Sequence, residues 1–202
     1  MPQTRPATLT DIPGILALQS RNLLSNLTEA EQKNGFVTTA FTDAQIETLL
    51  ADGGVFVAVD IADDDLSETV IGYALAGSWA FFAQWPIFPF MLARLPALDL
   101  SGRMPFSVIN EANSFQYGPV CIDGVYRGQG VFPRLFETMR LGMCARYPIG
   151  VTFINRLNPH SFHAHTKKLG MTVIDEFEFN DRPYYGLAFD MGRSVLSSTV
   201  PP

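Results

Sequence analysis

Between Tyr117 and Leu141 an apolar run, Val120-Cys121-Ile122, breaks at Asp123-Gly124. It passes through Tyr126-Arg127-Gly128-Gln129-Gly130-Val131 and enters a segment of helical periodicity. A strand, a glycine turn and a helix in this order outline an anion-binding loop. The first turn of a helix leaves backbone N–H groups unpartnered at the positive end of the helix dipole, and a phosphate satisfies both. Gly128 and Gly130 carry no Cβ, so the backbone can turn tightly and approach a ligand closely. Arg127 adds a fixed positive charge. Phe132, Leu135, Phe136, Met139 and Met143 recur at helical spacing, with Arg134, Glu137 and Arg140 elsewhere on the wheel. Pro133 is tolerated in the first turn, where its missing N–H has no intrahelical partner, but it removes one phosphate donor.

Two nucleotide motifs fail here. There is no lysine in the position a Walker loop requires, and Pro133 stands where a dinucleotide fingerprint needs its third glycine. The 202 residues, 47% of them hydrophobic, suffice for one sizeable core and are short for two. A net charge of −6 argues against nucleic acid as a partner and is compatible with an amine-bearing substrate. Two cysteines without framework spacing, and too few Cys/His clusters for a metal, point to a reducing, cytoplasmic setting. Met1 to Arg5 has no signal-like apolar run. Val70 to Ala93 holds no charged residue and is long enough on paper to span a bilayer, but Gly72, Gly77, Gln84, Pro86 and Pro89 interrupt it, so no membrane association is expected. The aromatic stretch that follows, about 79–106, is read as a lid on a substrate pocket or a dimer contact.

Along the chain, Ala7 to Leu9 reads as the end of a first strand, followed by a helix capped by Thr10 or Asp11 and carrying Ile12, Ile15, Leu16 and Leu23. Thr42 and Gln45 form a capping box for a helix that stops at Gly53-Gly54. Val55–Ile61 and Thr69–Ala76 are strands joined by an acidic turn, Asp63-Asp64-Asp65. After the glycine loop and its helix come a strand over Ile149–Asn155, a short helix over Asn158–Leu169, and a closing hairpin of Val173–Phe179 with Tyr184–Asp190. Residues 1–193 are expected to form a single domain, with 194–202 a disordered tail.

The loop resembles the acyl-coenzyme A loop of the GNAT superfamily of N-acetyltransferases, whose pattern is Arg/Gln-x-x-Gly-x-Gly/Ala after a strand. The order of elements and the opening Arg5-Pro6-Ala7-Thr8 with Asp11 are similar to that family over about residues 4–191. The resemblance implies an α+β, three-layer fold: a mixed, mostly antiparallel central sheet flanked by helices, with splayed central strands. It implies acetyl-CoA as cosubstrate, its pantetheine arm lying along Val120, Cys121 and Ile122 and its pyrophosphate on Arg127, Gly128, Gln129, Gly130 and Val131. Phe132 departs from the family's small residue, so either the helix start sits off the pyrophosphate or the ring turns into the core. Gly118-Pro119 is suited to start the divergence of the strands.

A second family signature is met by Asn158-Pro159-His160-Ser161, although the run to Leu169-Gly170 is one residue longer than the commonest form. The family's tyrosine acid is replaced by His165 or Thr166, depending on where that residue is absorbed. Helical spacing favours His165, which shares a face with Phe162 and Leu169. The resemblance further implies attack of an amine on the thioester in a ternary complex, with His165 as acid for the thiolate and Glu111 as the best-placed base. Tyr117, Tyr184 and Tyr185, and the loop Ser25 to Phe41 with Gly35-Phe36, are candidates for the acceptor pocket. The expected function is acetyl transfer to a small-molecule amine, and the alternative is a non-catalytic acyl-coenzyme A sensor on the same fold.

Overall fold

The computed structural model describes residues 2–62 and 67–196. The expected acidic turn at Asp63-Asp64-Asp65 lies outside the described residues, as do 197–202 of the expected tail; within 194–196, the Val195 N–H donates to Glu137 Oε2. Seven strands form one sheet: β1 (Gln3–Pro6), β2 (Val55–Ile61), β3 (Glu68–Gly77), β4 (Ser114–Ile122), β5 (Ile149–Asn155), β6 (Thr172–Phe179) and β7 (Arg182–Asp190). Their spatial order is β1-β2-β3-β4-β5-β7-β6, and every neighbouring pair is antiparallel except β4–β5. The helices are α1 (Ile12–Asn22), α2 (Glu29–Gln32), α3 (Asp43–Ala51), α4 (Trp79–Phe82), α5 (Ile87–Arg94), α6 (Val131–Met143) and α7 (Pro159–His163).

The strands alternate as a sheet covered on both faces must. Val55, Val57 and Val59 join Ile15, Leu18, Ile46 and Leu49 in one core, whereas Phe56 and Ala58 join Leu135, Phe136 and Met139 in the other. The helices thus flank a mixed sheet in three layers. The aromatic insert is folded into the first core: Trp79, Phe82, Phe88 and Met91 are buried and Phe41 packs among Phe81, Phe82 and Trp85. Burial of these rings removes most of the patch that the sequence would otherwise expose.

Local chemistry accounts for most boundaries. The Thr42 and Gln45 capping box opens α3 as expected, with Gln45 N–H donating to Thr42 Oγ1 at 3.3 Å and Thr42 N–H to Gln45 Oε1 at 2.9 Å. Asn180 and Asp181, at φ 51° and 58°, turn the β6–β7 hairpin. The first strand ends earlier than expected, at Pro6, because Asp11 draws Thr8 into a tight turn, accepting from its N–H at 2.7 Å and from Arg5 at 2.8 and 2.9 Å. Helix α1 likewise stops at Asn22, and Leu23 bridges in parallel to Val37. That bridge holds the loop before Phe41 beside the end of α1, next to the site. On α6, Glu137 and Arg140 are not on a solvated face: they are buried and joined by two hydrogen bonds of 2.9 and 2.7 Å.

Candidate active site

β4 opens the site. It pairs with β5 only at Ser114–Ile149, Phe115–Gly150 and Gln116–Val151, while its pairing with β3 shifts register between Ala74 and Ala76. Gly118, at φ +109°, and Pro119 follow directly, where a proline without an N–H and a glycine in a left-handed conformation suit the end of a ladder. Beyond them Val120, Cys121 and Ile122 line a cavity of about 610 Å3. Gly35, Phe36 and Val37 form another wall, so the loop does border the site.

The glycine turn forms the floor. Gly128 and Gly130 have φ +80° and +76°, and a Cβ built on either would meet nothing within 4 Å. Their requirement is conformational, and the space above them is open. Gly130 caps α6, and the N–H groups of residues 128–132 make no hydrogen bond to a described residue. Pro133 has none to offer, and the Arg134 N–H reaches Gly130 O only at 3.5 Å. Phe132 lines the cavity and packs edge-on against His165 at 5.2 Å, so its ring is a wall of the site. The fixed cations Arg127 and Lys168 border the same cavity, and no Asp or Glu among the described residues does. In a chain of net charge −6 this is a local reversal of sign that suits an anion.

Arg127 is less free than the sequence suggests. Its Nε donates to Ile122 O at 2.9 Å, Nη2 to Asn22 Oδ1 at 3.2 Å and Nη1 to the Asn34 carbonyl, which ties α1, the Asn34–Val37 loop and the end of β4 together. Gln129 does not line the cavity, and its Nε2 turns back to Val125 O at 2.8 Å. Val131 is buried and lines the cavity. Asn158 caps α7 through Ser161 N–H at 3.1 Å, and its Nδ2 donates to Phe36 O at 3.2 Å. Cys121 borders the cavity as a thiol, since burial pushes its pKa up to about 12.

A second, smaller cavity of about 80 Å3 adjoins the first where β4 and β5 part. The two share Phe36, Val37, Val120, Asn158, Ser161 and His165. Gln116, Tyr117, Thr152 and Phe153 line the smaller one, together with Phe88 of the insert. Tyr184 and Tyr185 line neither cavity; they stack on Phe177 and Phe162.

The extra residue of the Asn158 helix is absorbed in a π turn, Ala164–Lys168, which follows α7 directly. His165 thereby faces both cavities, whereas Thr166 Oγ1 is turned to Phe162 O at 2.8 Å. His165 is only 4% exposed, and its Nδ1 lies 2.8 Å from Ser161 O. A carbonyl only accepts, so Nδ1 carries the proton and Nε2 is the bare nitrogen of the neutral ring. Burial lowers the pKa to about 4, against the raising effect of the Ser161 bond. At neutral pH Nε2 therefore accepts, and the ring can serve as the expected acid only after it has taken up a proton. Burial, with the charges of Arg127 and Lys168, also lowers the pKa of His160. The expected base is displaced, because Glu111 stands exposed in the turn before β4 and lines neither cavity.

Gln116 and Thr152 were not singled out from the sequence, although a polar residue inside an apolar strand is a readable signal of a site. No group of three or more metal-ligating side chains occurs among the described residues, and no described helix is long and apolar enough to cross a membrane.

No protein-family model matches the sequence, and no curated protein matches it. Solved structures match along nearly the whole chain. An N-acetyltransferase from Staphylococcus aureus Mu50 is 17% identical, with 95% of this chain and 99% of that one covered at a TM-score of 0.58. A GNAT-family acetyltransferase from Streptococcus agalactiae 2603 is 17% identical over 94% and 95% at 0.56. The Salmonella typhimurium yncA protein, a putative acetyltransferase solved with its cofactor acetyl-CoA, is 15% identical over 94% of each chain at 0.58. At these identities the likeness is one of fold, and this chain has the fold of the GNAT acetyltransferases.

Proposed function

We propose that the protein is an acetyl-coenzyme A-dependent N-acetyltransferase acting on a small amine as a single domain. The observation that carries this reading is the continuity of the two cavities. A large cavity with no carboxylate among its described lining residues, floored by the unpaired N–H groups of residues 128–132, runs along Val120–Ile122 and shares Val120, Asn158, Ser161 and His165 with a small one at the strand divergence. The first suits the pyrophosphate and pantetheine of coenzyme A, and the second a compact acceptor. The solved relative crystallised with acetyl-CoA supports the choice of cofactor.

With the thioester at the junction, the amine nitrogen attacks the carbonyl carbon, the C–N bond forms and the C–S bond breaks. His165 Nε2 takes the amine's proton and returns it to the departing thiolate, so one neutral imidazole serves both steps. In a thiol-release assay over an amine panel, wild-type protein releases coenzyme A only when acceptor is present. His165→Ala loses roughly a hundredfold of that rate while keeping acetyl-coenzyme A affinity. That no carboxylate among the described residues lines either cavity favours a second reading, an acyl-coenzyme A sensor, which binds the thioester and releases no thiol with any amine.

A further inference from the structure

The small cavity has a chemical bias of its own. Among the described residues its lining holds neither a carboxylate nor an ammonium or guanidinium, and two fixed cations, Arg127 and Lys168, border the adjoining large cavity. An alkylammonium entering here would leave water for a site with no counter-charge and with positive charge beyond its mouth, which is costly on both counts. An uncharged N–H group is better served. Gln116 is 2% exposed, and its Nε2 donates to Tyr117 O at 2.7 Å. That bond fixes the amide's orientation and leaves Oε1 buried without a hydrogen-bond partner. His165 offers a second acceptor at the same cavity, the bare Nε2. Two neutral acceptors and no anion are complementary to the N–H bonds of a free amine and not to a cation.

We propose that the acceptor is a small amine that is uncharged at neutral pH, of the hydrazine, alkoxyamine or electron-poor amine class, bound in the Gln116–His165 cavity. This rests on the acetyl-transfer reading above and narrows its substrate. Ordinary alkylamines and polyamines, which carry their charge at neutral pH, are selected against by the lining itself.

The test is a series of nearly equal size and falling basicity, from ethylamine through its mono-, di- and trifluoro derivatives, with methoxyamine as the isostere of ethylamine. Each is offered with acetyl-coenzyme A at fixed neutral pH, and coenzyme A release is recorded as kcat/KM. A rise of roughly tenfold or more from ethylamine to the uncharged members, with methoxyamine among the best, is the expected result. Gln116→Glu and, independently, Thr152→Asp place a carboxylate in the cavity and should move the preference back towards ethylamine. Wild-type protein that turns over ethylamine as well as or better than the uncharged members overturns the inference and leaves the acetyltransferase reading intact. Release of coenzyme A with none of these amines but with large cationic ones does the same. Failure to bind acetyl-coenzyme A at all overturns both.

Discussion

The Nδ1–H of His165 donates to the main-chain carbonyl of Ser161 at 2.8 Å, one helical step back along the same segment. This bond fixes which nitrogen carries the proton, and burial beside Tyr117 and Phe132 keeps the ring neutral. Folding lowers the pKa from 6.5 to about 4, so the unfolded chain binds the extra proton first. Stability is therefore unaffected above about pH 6.5 and falls as the pH drops from there to about 4, by about 3 kcal/mol from this residue. His160, lowered in the same direction, adds to the slope. Urea titrations at several pH values should show this loss, and His165→Gln should flatten it; an unchanged slope would place the acid sensitivity elsewhere.

Phe132 shields that imidazole. Its ring packs edge-on at 5.2 Å and also lines the large cavity, so Phe132→Ala should admit water to His165. The titration of the His165 ring, followed by NMR, is expected to move up towards 6.5 in the variant. A value that stays near 4 would show that the helix and Tyr117 alone supply the apolar environment.

Glycines separate by their surroundings. A Cβ at Gly54 would lie 1.9 Å from the Ala76 carbonyl oxygen, backbone that cannot move without breaking the Ala76 N–H bond to Gly54 O at 2.8 Å. A Cβ at Gly124 meets nothing within 4 Å. Gly54→Ala should cost more than about 3 kcal/mol or prevent folding, whereas Gly124→Ala stays within about 0.5 kcal/mol of wild type by urea denaturation.

The buried Glu137–Arg140 pair predicts non-additivity. Arg140 Nη1 also donates to Met191 O at 2.7 Å, and Glu137 accepts from Val195 N–H at 3.1 Å, so the pair fastens the end of the chain to α6. Arg140→Met leaves an uncompensated buried carboxylate and should cost about 3–5 kcal/mol, with Glu137→Gln/Arg140→Met recovering part of it. Additive losses in the double-mutant cycle would deny the coupling.

What could be read from the sequence was what local chemistry decides. The Thr42–Gln45 box, the αL glycine at the start of α6 and the limits of β5 all depend on residues close in the chain. The cavity floor was legible for the same reason, since Gly128, Gly130 and Pro133 act through their own backbone. The hydrogen bonds of Arg127 were not legible, because its partners Asn22 and Asn34 are remote in sequence and reach it only once α1 and its loop are docked. Glu111 looked well placed by its distance along the chain from β4. It is left outside because β4 and β5 part after Gln116, whereas Glu111 stands in the turn before the paired start of β4. The π turn was visible only as a surplus residue, and its consequence, aiming His165 at both cavities, needed the helix itself.

The proposed contact of the unpaired N–H groups of residues 128–132 with the pyrophosphate of coenzyme A is open to measurement. Calorimetric titration of acetyl-coenzyme A into wild-type and Gly130→Asp protein, with both shown to be folded, tests it most directly. A carboxylate projecting from residue 130 enters the open space above the loop, so the expected result is saturable binding by wild type and a loss of at least roughly a hundredfold in the variant. Equal affinity in the two proteins, or no binding by wild type, would contradict it.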